Sequence, residues 1–335
     1  MIYKSAQLHN VAELIDIENA DGKGLCRIPL DVWETLNERA QANAIQATGC
    51  EIRFKLEGGA ASVILEMTER PAVAEVYFGP FLSAWQVIET RPTTITITSP
   101  PNLSQLCQVA QDNSLAYDPQ LVRIILPWRP PVKLHDIQGD IHLPETHQTP
   151  ARTYLAYGSS ITHGNHSVSA TGMYARLTAE HLAVDFINLG FGGGAHCEAS
   201  LGRYIASRQD WDFATLEMGI NLVNWMDTAE FAARVTDFVL PIVQAHPDKW
   251  IFCIDMFPFN MDFDMNSEIN HTYRAIVREM VAELDYPQLV HIDGRDLLRD
   301  MRGLSADLVH PSPTGMDEIA HNLSARIQRA MESSG

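Results

Sequence analysis

Apolar and polar positions alternate with a period of two through most of residues 24–143, and the period lengthens after residue 152. In IRFKLE (52–57), Ile52, Phe54 and Leu56 face one way, and Arg53, Lys55 and Glu57 face the other. SVILEM (62–67) comes directly after Gly58-Gly59 and a short small-residue stretch, which reads as a hairpin junction. EVYFG (75–79), WQVIET (85–90), TTITITS (93–99) and LVRIIL (121–126) continue the series of strands. Short alternating runs with turn residues between them predict an antiparallel, jelly-roll-like β-sandwich. Val32, Leu36 and Ala40 line one short helix over 32–42.

LPETHQTPAR (143–152) is polar, carries two prolines and reads as a linker. Beyond it, apolar runs and helical stripes take turns. TYLAY (153–157), VDFINLG (184–190), FATLEMG (213–219), WIFCID (250–255) and LVHID (289–293) are the strand-like runs. Helical stripes are carried by Tyr174, Leu177 and His181, by Phe231 to Ile242, by Ile269 to Leu284 and by Met316 to Ile327. This alternation predicts a parallel sheet covered on both faces, with sites at the C-terminal ends of its strands. The expected division is residues 1–148 for the sandwich and 149–335 for the α/β domain.

Composition narrows the function. The chain has 335 residues, with 24 Lys plus Arg against 42 Asp plus Glu and a net charge of −18. So acidic a chain disfavours nucleic acid and anionic membrane as partners. A mean hydropathy of −0.10 and 46% hydrophobic residues fit an ordinary globular protein. Five scattered cysteines (Cys26, Cys50, Cys107, Cys197, Cys253) read as free thiols, and the first residues lack a sustained apolar core. Both point to a cytoplasmic protein.

The candidate chemistry sits in turns after the strands. AYGSSITHG (156–164) puts hydroxyls in a tight turn, where a serine can project into a cleft. SADLVHPSPTG (305–315) places Asp307 three residues before His310, within reach of a ring N–H. INLGFGGGAH (187–196) and EMGINL (217–222) supply a glycine at 193 and an amide at Asn221, both suited to hold an oxyanion.

Serine, glycine, asparagine and an Asp-x-x-His pair in this order resemble the SGNH/GDSL hydrolase superfamily. GSSIT (158–162) matches the first block with Ser159 in place of the usual Asp, and Leu222 stands where an Asp often follows the asparagine. The resemblance covers about residues 150–331. It implies a flavodoxin-like α/β/α hydrolase domain behind a β-sandwich, a layout shared with carbohydrate-esterase-like deacetylases and acyltransferases. It also implies Ser160 as nucleophile, His310 as general base, Asp307 as its orienting acid, and Ser160, Gly193 and Asn221 as oxyanion donors. The expected substrate is a small acyl ester, such as an acylated carbohydrate, hydrolysed without cofactor or metal; acyl transfer would use the same residues. Two other classes compete. GFGGGA (190–195), with Glu217 downstream, satisfies a dinucleotide fingerprint and would suit an NAD-binding oxidoreductase. A non-catalytic glycan-binding protein would use the sandwich alone. His163 with His166, and His135, His142 and His147, form histidine clusters without matching metal-ligand spacing. MFPFNMDFDMN (256–266) is a candidate apolar lid, and Asn224, Trp225 and Met226 are candidates to shape the pocket.

Overall fold

The computed structural model describes residues 1–17, 21–265 and 267–332. Its N-terminal half is one antiparallel sheet. The strands are β1 (Ile2–Tyr3), β2 (Ala6–His9), β3 (Glu13–Asp16), β4 (Lys23–Cys26), β5 (Glu51–Met67), β6 (Ala72–Phe78), β7 (Phe81–Ile88), β8 (Thr93–Thr98), β9 (Leu121–Ile125) and β10 (Val132–His142). The sheet folds over on itself about β5. Residues 51–55 of that strand pair with β9, and 60–65 pair with β8. Ile52, Phe54, Val76 and Ile124 thereby meet Val63, Leu65, Ile95 and Leu134 in one core.

The expected hairpin at Gly58-Gly59 does not form, because β5 is a single strand of 17 residues. The buried set switches from positions 52 and 54 to 61, 63, 65 and 67 across an exposed stretch at 57–60. Register shifts against β10 over this stretch leave the extra residues in β5, which is what such a switch requires. Gly59, at φ +64, takes the left-handed bend that carries the strand from one leaf to the other.

The helix expected over 32–42 is broken into α1 (Leu30–Trp33) and α2 (Glu38–Ala44). Asn37 restarts the chain as an N-cap, accepting the Ala40 N–H at 3.0 Å. Leu36, Ala40 and Ala44 pack into the core beneath the second sheet, not into the sandwich. A further helix, α3 (Leu103–Asp112), follows β8.

The second sheet is parallel, in the order β12 (Asp185–Gly190), β11 (Thr153–Gly158), β13 (Phe213–Glu217), β14 (Trp250–Ile254), β15 (Leu289–Ile292). Its helices are α4 (Ser160–His163), α5 (Tyr174–His181), α6 (Ala199–Ser207), α7 (Thr228–Ala245), α8 (Ile269–Leu284), α9 (Gly294–Leu297) and α10 (Pro313–Glu332). Leu155 and Tyr157 of β11 face α6, α7 and α8, while Tyr154 and Ala156 face α5 and α10. Both faces are therefore apolar, which is why these strands read as continuous hydrophobic runs. The chain steps from β11 to one side and then returns to the other, so the strand order reverses between β11 and β13. A crevice opens at the C-terminal ends of strands at such a reversal. Among the described residues, no helix is long and apolar enough to cross a membrane.

The two sheets are joined by a buried ionic cluster. Glu51 accepts hydrogen bonds from Arg53 (2.7 Å), Arg123 (2.8 and 2.9 Å) and Arg176 (2.6 Å). Arg53 also forks onto Asp185 at the start of β12, with both bonds 2.7 Å. Burial alone would push both carboxyls up, but the guanidinium groups outweigh it and hold Glu51 and Asp185 well below the usual carboxylate range. The polar edge of β5 thus faces a second protein layer.

His163 is a second pin between the halves. Its ring bonds the Gly190 carbonyl and the Gln46 side chain, each at 2.9 Å, and it is almost completely buried. Burial, aided by the nearby Arg27 charge, lowers its pKa from 6.5 to about 3. In the unfolded chain this ring takes up a proton near pH 6.5, whereas in the fold it stays neutral. Its contribution is complete above that pH and is lost as pH falls towards 3. In that window the loss approaches about 1.4 kcal/mol per pH unit. Urea unfolding at pH 7 and pH 5 is expected to show a drop of about 2 kcal/mol. His163→Gln should have a visibly flatter profile, and identical profiles would remove this role.

Candidate active site

The turn after β11 is shaped from below by Glu217, at the end of β13. Its Oε2 accepts the Ser159 N–H at 2.6 Å and the Thr162 hydroxyl at 3.1 Å. Gly158 has to be glycine: a Cβ there would lie 2.5 Å from Glu217 Oε2 and 2.2 Å from Thr162 Oγ1. The two neighbouring serines are separated by their environments. Ser159 is the N-cap of α4, its Oγ accepting the Ile161 N–H at 3.2 Å, and it is buried. Ser160 points out of the turn, and its Oγ lies 2.7 Å from His310 Nε2.

His310 is held by its own loop. Its Nδ1 lies 2.7 Å from Asp307 Oδ2. Asp307 Oδ1 accepts the N–H groups of Val309 and His310, both at 2.9 Å, and the Ser305 hydroxyl at 2.8 Å. Leu308, at φ +53, folds the loop back so that these donors converge. Burial would raise the Asp307 carboxyl, but the His310 and Val309 N–H groups and the Ser305 hydroxyl outweigh it and keep the group well below its ordinary range. A charged Asp307 fixes the proton on Nδ1 and leaves Nε2 free to accept from Ser160. Pro313 then begins α10, where its missing N–H costs nothing.

Gly193 and Asn221 belong to the glycine turn after β12 and the turn after β13. A methyl group added at Gly192 would sit 3.6 Å from Ser160 Cβ, so this turn borders the nucleophile candidate directly. The Gly192 N–H is taken by Asn43 Oδ1 at 3.0 Å. The Gly193 and Ser160 N–H groups find no acceptor among the described residues. Asn221 Oδ1 accepts the Ala195 N–H at 3.2 Å, which leaves the Asn221 amide N–H2 as a donor. Ser160, His310 and Asp307 are therefore joined in one hydrogen-bonded chain, the glycine turn borders Ser160, and Asn221 is tied to that turn through Ala195.

The glycine run serves helix packing, not a dinucleotide. A Cβ at Gly194 would be 2.5 Å from Ala40 N, and Asn37 and Asn43 of the α2 region donate to the carbonyls of Gly194 and Gly192. The fingerprint reading of GFGGGA fails because α2 occupies the space a pyrophosphate would need. Glu217, its proposed ribose-binding acid, is buried beneath the serine turn. In the 256–266 segment, Met256, Phe257 and Phe259 are core residues, while Phe263 and Met265 are exposed; Asn266 lies outside the described residues.

His166 and Glu217 were not assigned these roles by sequence reasoning, while Trp225 was expected to shape the pocket. The His166 ring stacks on His310 with centroids 4.8 Å apart, and its Nε2 lies 3.6 Å from Asp307 Oδ2. Ligand atoms of His166, Asp307 and His310 lie within 4.8 Å of one another, so these are the side chains that a divalent cation would engage. Trp225 is 59% exposed and donates its indole N–H to the Asn221 carbonyl at 2.8 Å. Glu217 is the support of the nucleophile turn, and burial pushes its carboxyl up. Glu217→Ala leaves the Ser159 N–H unsatisfied, at a cost of about 1–3 kcal/mol. It is expected to lower turnover roughly 10- to 100-fold together with the melting temperature, since a loosened turn misplaces the hydroxyl. Glu217→Gln keeps an acceptor and should recover most of both; equal damage from the two variants would mean that the carboxyl charge itself is needed.

Residues 156–317 match the family described as GDSL-like Lipase/Acylhydrolase. No curated protein matches the chain. Among solved structures, the chain is similar to the salicylyl-acyltransferase SsfX3 from a tetracycline biosynthetic pathway, with TM-score 0.78 and 18% identity over 98% of this chain and 95% of that one. It is also similar to a family two carbohydrate esterase from Cellvibrio japonicus, with TM-score 0.62 and 15% identity over 98% and 96% of the two chains. A third is the carbohydrate esterase family 2 enzyme with a carbohydrate binding domain from Corynascus thermopiles (Myceliophthora fergusii), with TM-score 0.63 and 16% identity over 89% and 98%. At these identities the likeness is one of fold, and it extends across both sheets.

Proposed function

We propose that this chain is a serine esterase acting through Ser160, His310 and Asp307, a reading supported by the match of residues 156–317 to the GDSL-like lipase/acylhydrolase family. The observation that carries the reading is the relay itself: Ser160 Oγ at 2.7 Å from His310 Nε2, and His310 Nδ1 at 2.7 Å from Asp307. His310 Nε2 takes the Ser160 proton as Oγ attacks the acyl carbon. The resulting oxyanion is held by the N–H groups of Ser160 and Gly193 and the Asn221 amide. His310 then gives the proton to the departing alkoxide, leaving an acyl-enzyme. Water attacks this ester, its proton passes to Nε2, and Ser160 leaves with that proton. No step calls for a cofactor or metal.

The substrate class proposed is a short O-acyl ester of a carbohydrate or other small alcohol. The names of the structural neighbours and the exposed Trp225 face beside Asn221 support it, since an indole offers an apolar platform to a ring. The same platform favours a second reading, transfer of the acyl group to an alcohol held there instead of water. The chain reads as a sandwich unit, 1–148, and a hydrolase unit, 149–335, with α2 of the first forming a wall of the site. Five cysteines without disulfides, four of them buried, suit a cytoplasmic setting.

p-Nitrophenyl esters from acetate to octanoate test the reading. Turnover is expected to be highest for the shortest acyl groups and to vanish in Ser160→Ala. Adding an alcohol acceptor and analysing products separates free acid from a new ester. Absence of Ser160-dependent cleavage across the whole series would overturn the esterase assignment.

A further inference from the structure

α2 brings a cation to the oxyanion side of the site. Asn37 and Asn43 grip the carbonyls of Gly194 and Gly192, each through a side-chain amide. Arg39 lies between these two grips, so its position relative to the glycine turn is fixed by the backbone. A Cβ added at Gly193 would lie 2.9 Å from Arg39 Nη1. The guanidinium therefore occupies the space that a side chain at 193 would fill, next to the N–H proposed to hold the oxyanion.

Among the described residues this guanidinium has no hydrogen-bonding or ion-pair partner. Among the described residues, no carboxylate lies within ion-pair distance of Arg39, and its side chain makes no hydrogen bond or ring contact. Glu198, the acid nearest along this turn, is bonded through Oε1 to Asn37 and makes no ion pair with Arg39. The residue is exposed, so its five N–H donors face the solvent in front of the turn.

We infer that Arg39 is a specificity-determining residue that receives a carboxylate, or an anion of similar shape, carried by the ester substrate. This rests on the esterase reading above and names a substrate feature within it. A planar guanidinium fits a carboxylate through two parallel bonds, and a cation at the mouth of a crevice draws an anionic substrate towards it. The N-terminal half of the chain would then read the substrate while the C-terminal half cleaves it.

Two matched pairs of esters test the inference. p-Nitrophenyl hemisuccinate against its methyl ester places the charge on the acyl side. 4-Acetoxybenzoate against 4-acetoxybenzamide places it on the alcohol side. In the wild type, the charged member of one pair is expected to be favoured roughly 10-fold in kcat/KM, an advantage that added salt weakens. Arg39→Met should bring that ratio to about one, Arg39→Glu should invert it, and Arg39→Lys should restore part of it. Free succinate or benzoate, matching the favoured pair, should inhibit the wild type competitively and Arg39→Met more weakly. Two results would overturn the inference: no charge preference in either pair, or equal losses on charged and neutral esters in Arg39→Met, which would place Arg39 with the oxyanion or the fold. Failure of all four esters in wild type would strike the esterase reading instead.

Discussion

Ser160→Ala is expected to lower ester turnover by roughly 10⁶-fold, to near background, because a relay that loses its nucleophile loses the function of all its members. His310→Ala should fall about as far, and the double variant little further. Ser159→Ala provides the contrast. That hydroxyl caps α4 and does not touch His310, so its loss should cost about 1 kcal/mol of stability and leave turnover within about 10-fold. Asn221→Ala removes one oxyanion donor of three, and turnover should drop about 10²–10³-fold. The order Ser160, then Asn221, then Ser159 is what distinguishes the proposed relay from a generic polar cleft. Single-turnover measurement with a chromogenic ester reads it directly. Comparable activity in Ser160→Ala and the wild type would remove the mechanism.

Alternation made the sandwich strands legible one at a time, since each contributes one face to a shared core. It did not reveal how they are arranged. Gly58-Gly59 looks like a hairpin turn in isolation, and the local pattern cannot tell a turn from a strand that bends between leaves. Arg53 and Glu51 posed the converse problem. Their face of β5 reads as polar, but what meets it is Arg123, Arg176 and Asp185 from far along the chain. α6 was missed because its glycine and two serines dilute the apolar stripe. Gly202 is there because the Phe238 carbonyl would lie 2.4 Å from a Cβ at that position.

Strand ends made the site legible. In a parallel sheet every C-terminal strand end points to one edge, which groups the serine, glycine and asparagine turns, whereas the Asp307–His310 loop lies beyond α9 and meets Ser160 through its imidazole. The two serines could be ranked only by motif register, whereas their surroundings assign one to a cap and the other to the imidazole. Glu217 enters the sequence reading only through the competing dinucleotide class, where its place near the end of the next strand suits a ribose-binding acid. Arg39 carried no local signal at all. Its relation to Gly193 follows from the docking of α2 on the glycine turn, a contact across more than 150 positions of sequence.

Asp307→Asn should be the most damaging change after those at Ser160 and His310, lowering turnover by roughly 10⁴-fold with little loss of fold. The two oxygens of Asp307 are both acceptors. One receives the His310 ring N–H, and the other receives Val309 N–H, His310 N–H and the Ser305 hydroxyl. An asparagine has a single acceptor oxygen. If its amide nitrogen faces the ring, His310 must carry its proton on Nε2, and Ser160 Oγ then meets a donor instead of a base. If the amide is turned the other way, its N–H2 faces three donors and the loop must shift, carrying the imidazole with it. Either arrangement deprives Ser160 of its base while leaving the cores untouched, so melting temperature should move by only a few degrees. His166 is no substitute, since it stacks on the ring and cannot take a proton from Nδ1 in that geometry. A kcat within 10-fold of wild type would mean that backbone and stacking alone orient His310, and that Asp307 has no part in the relay.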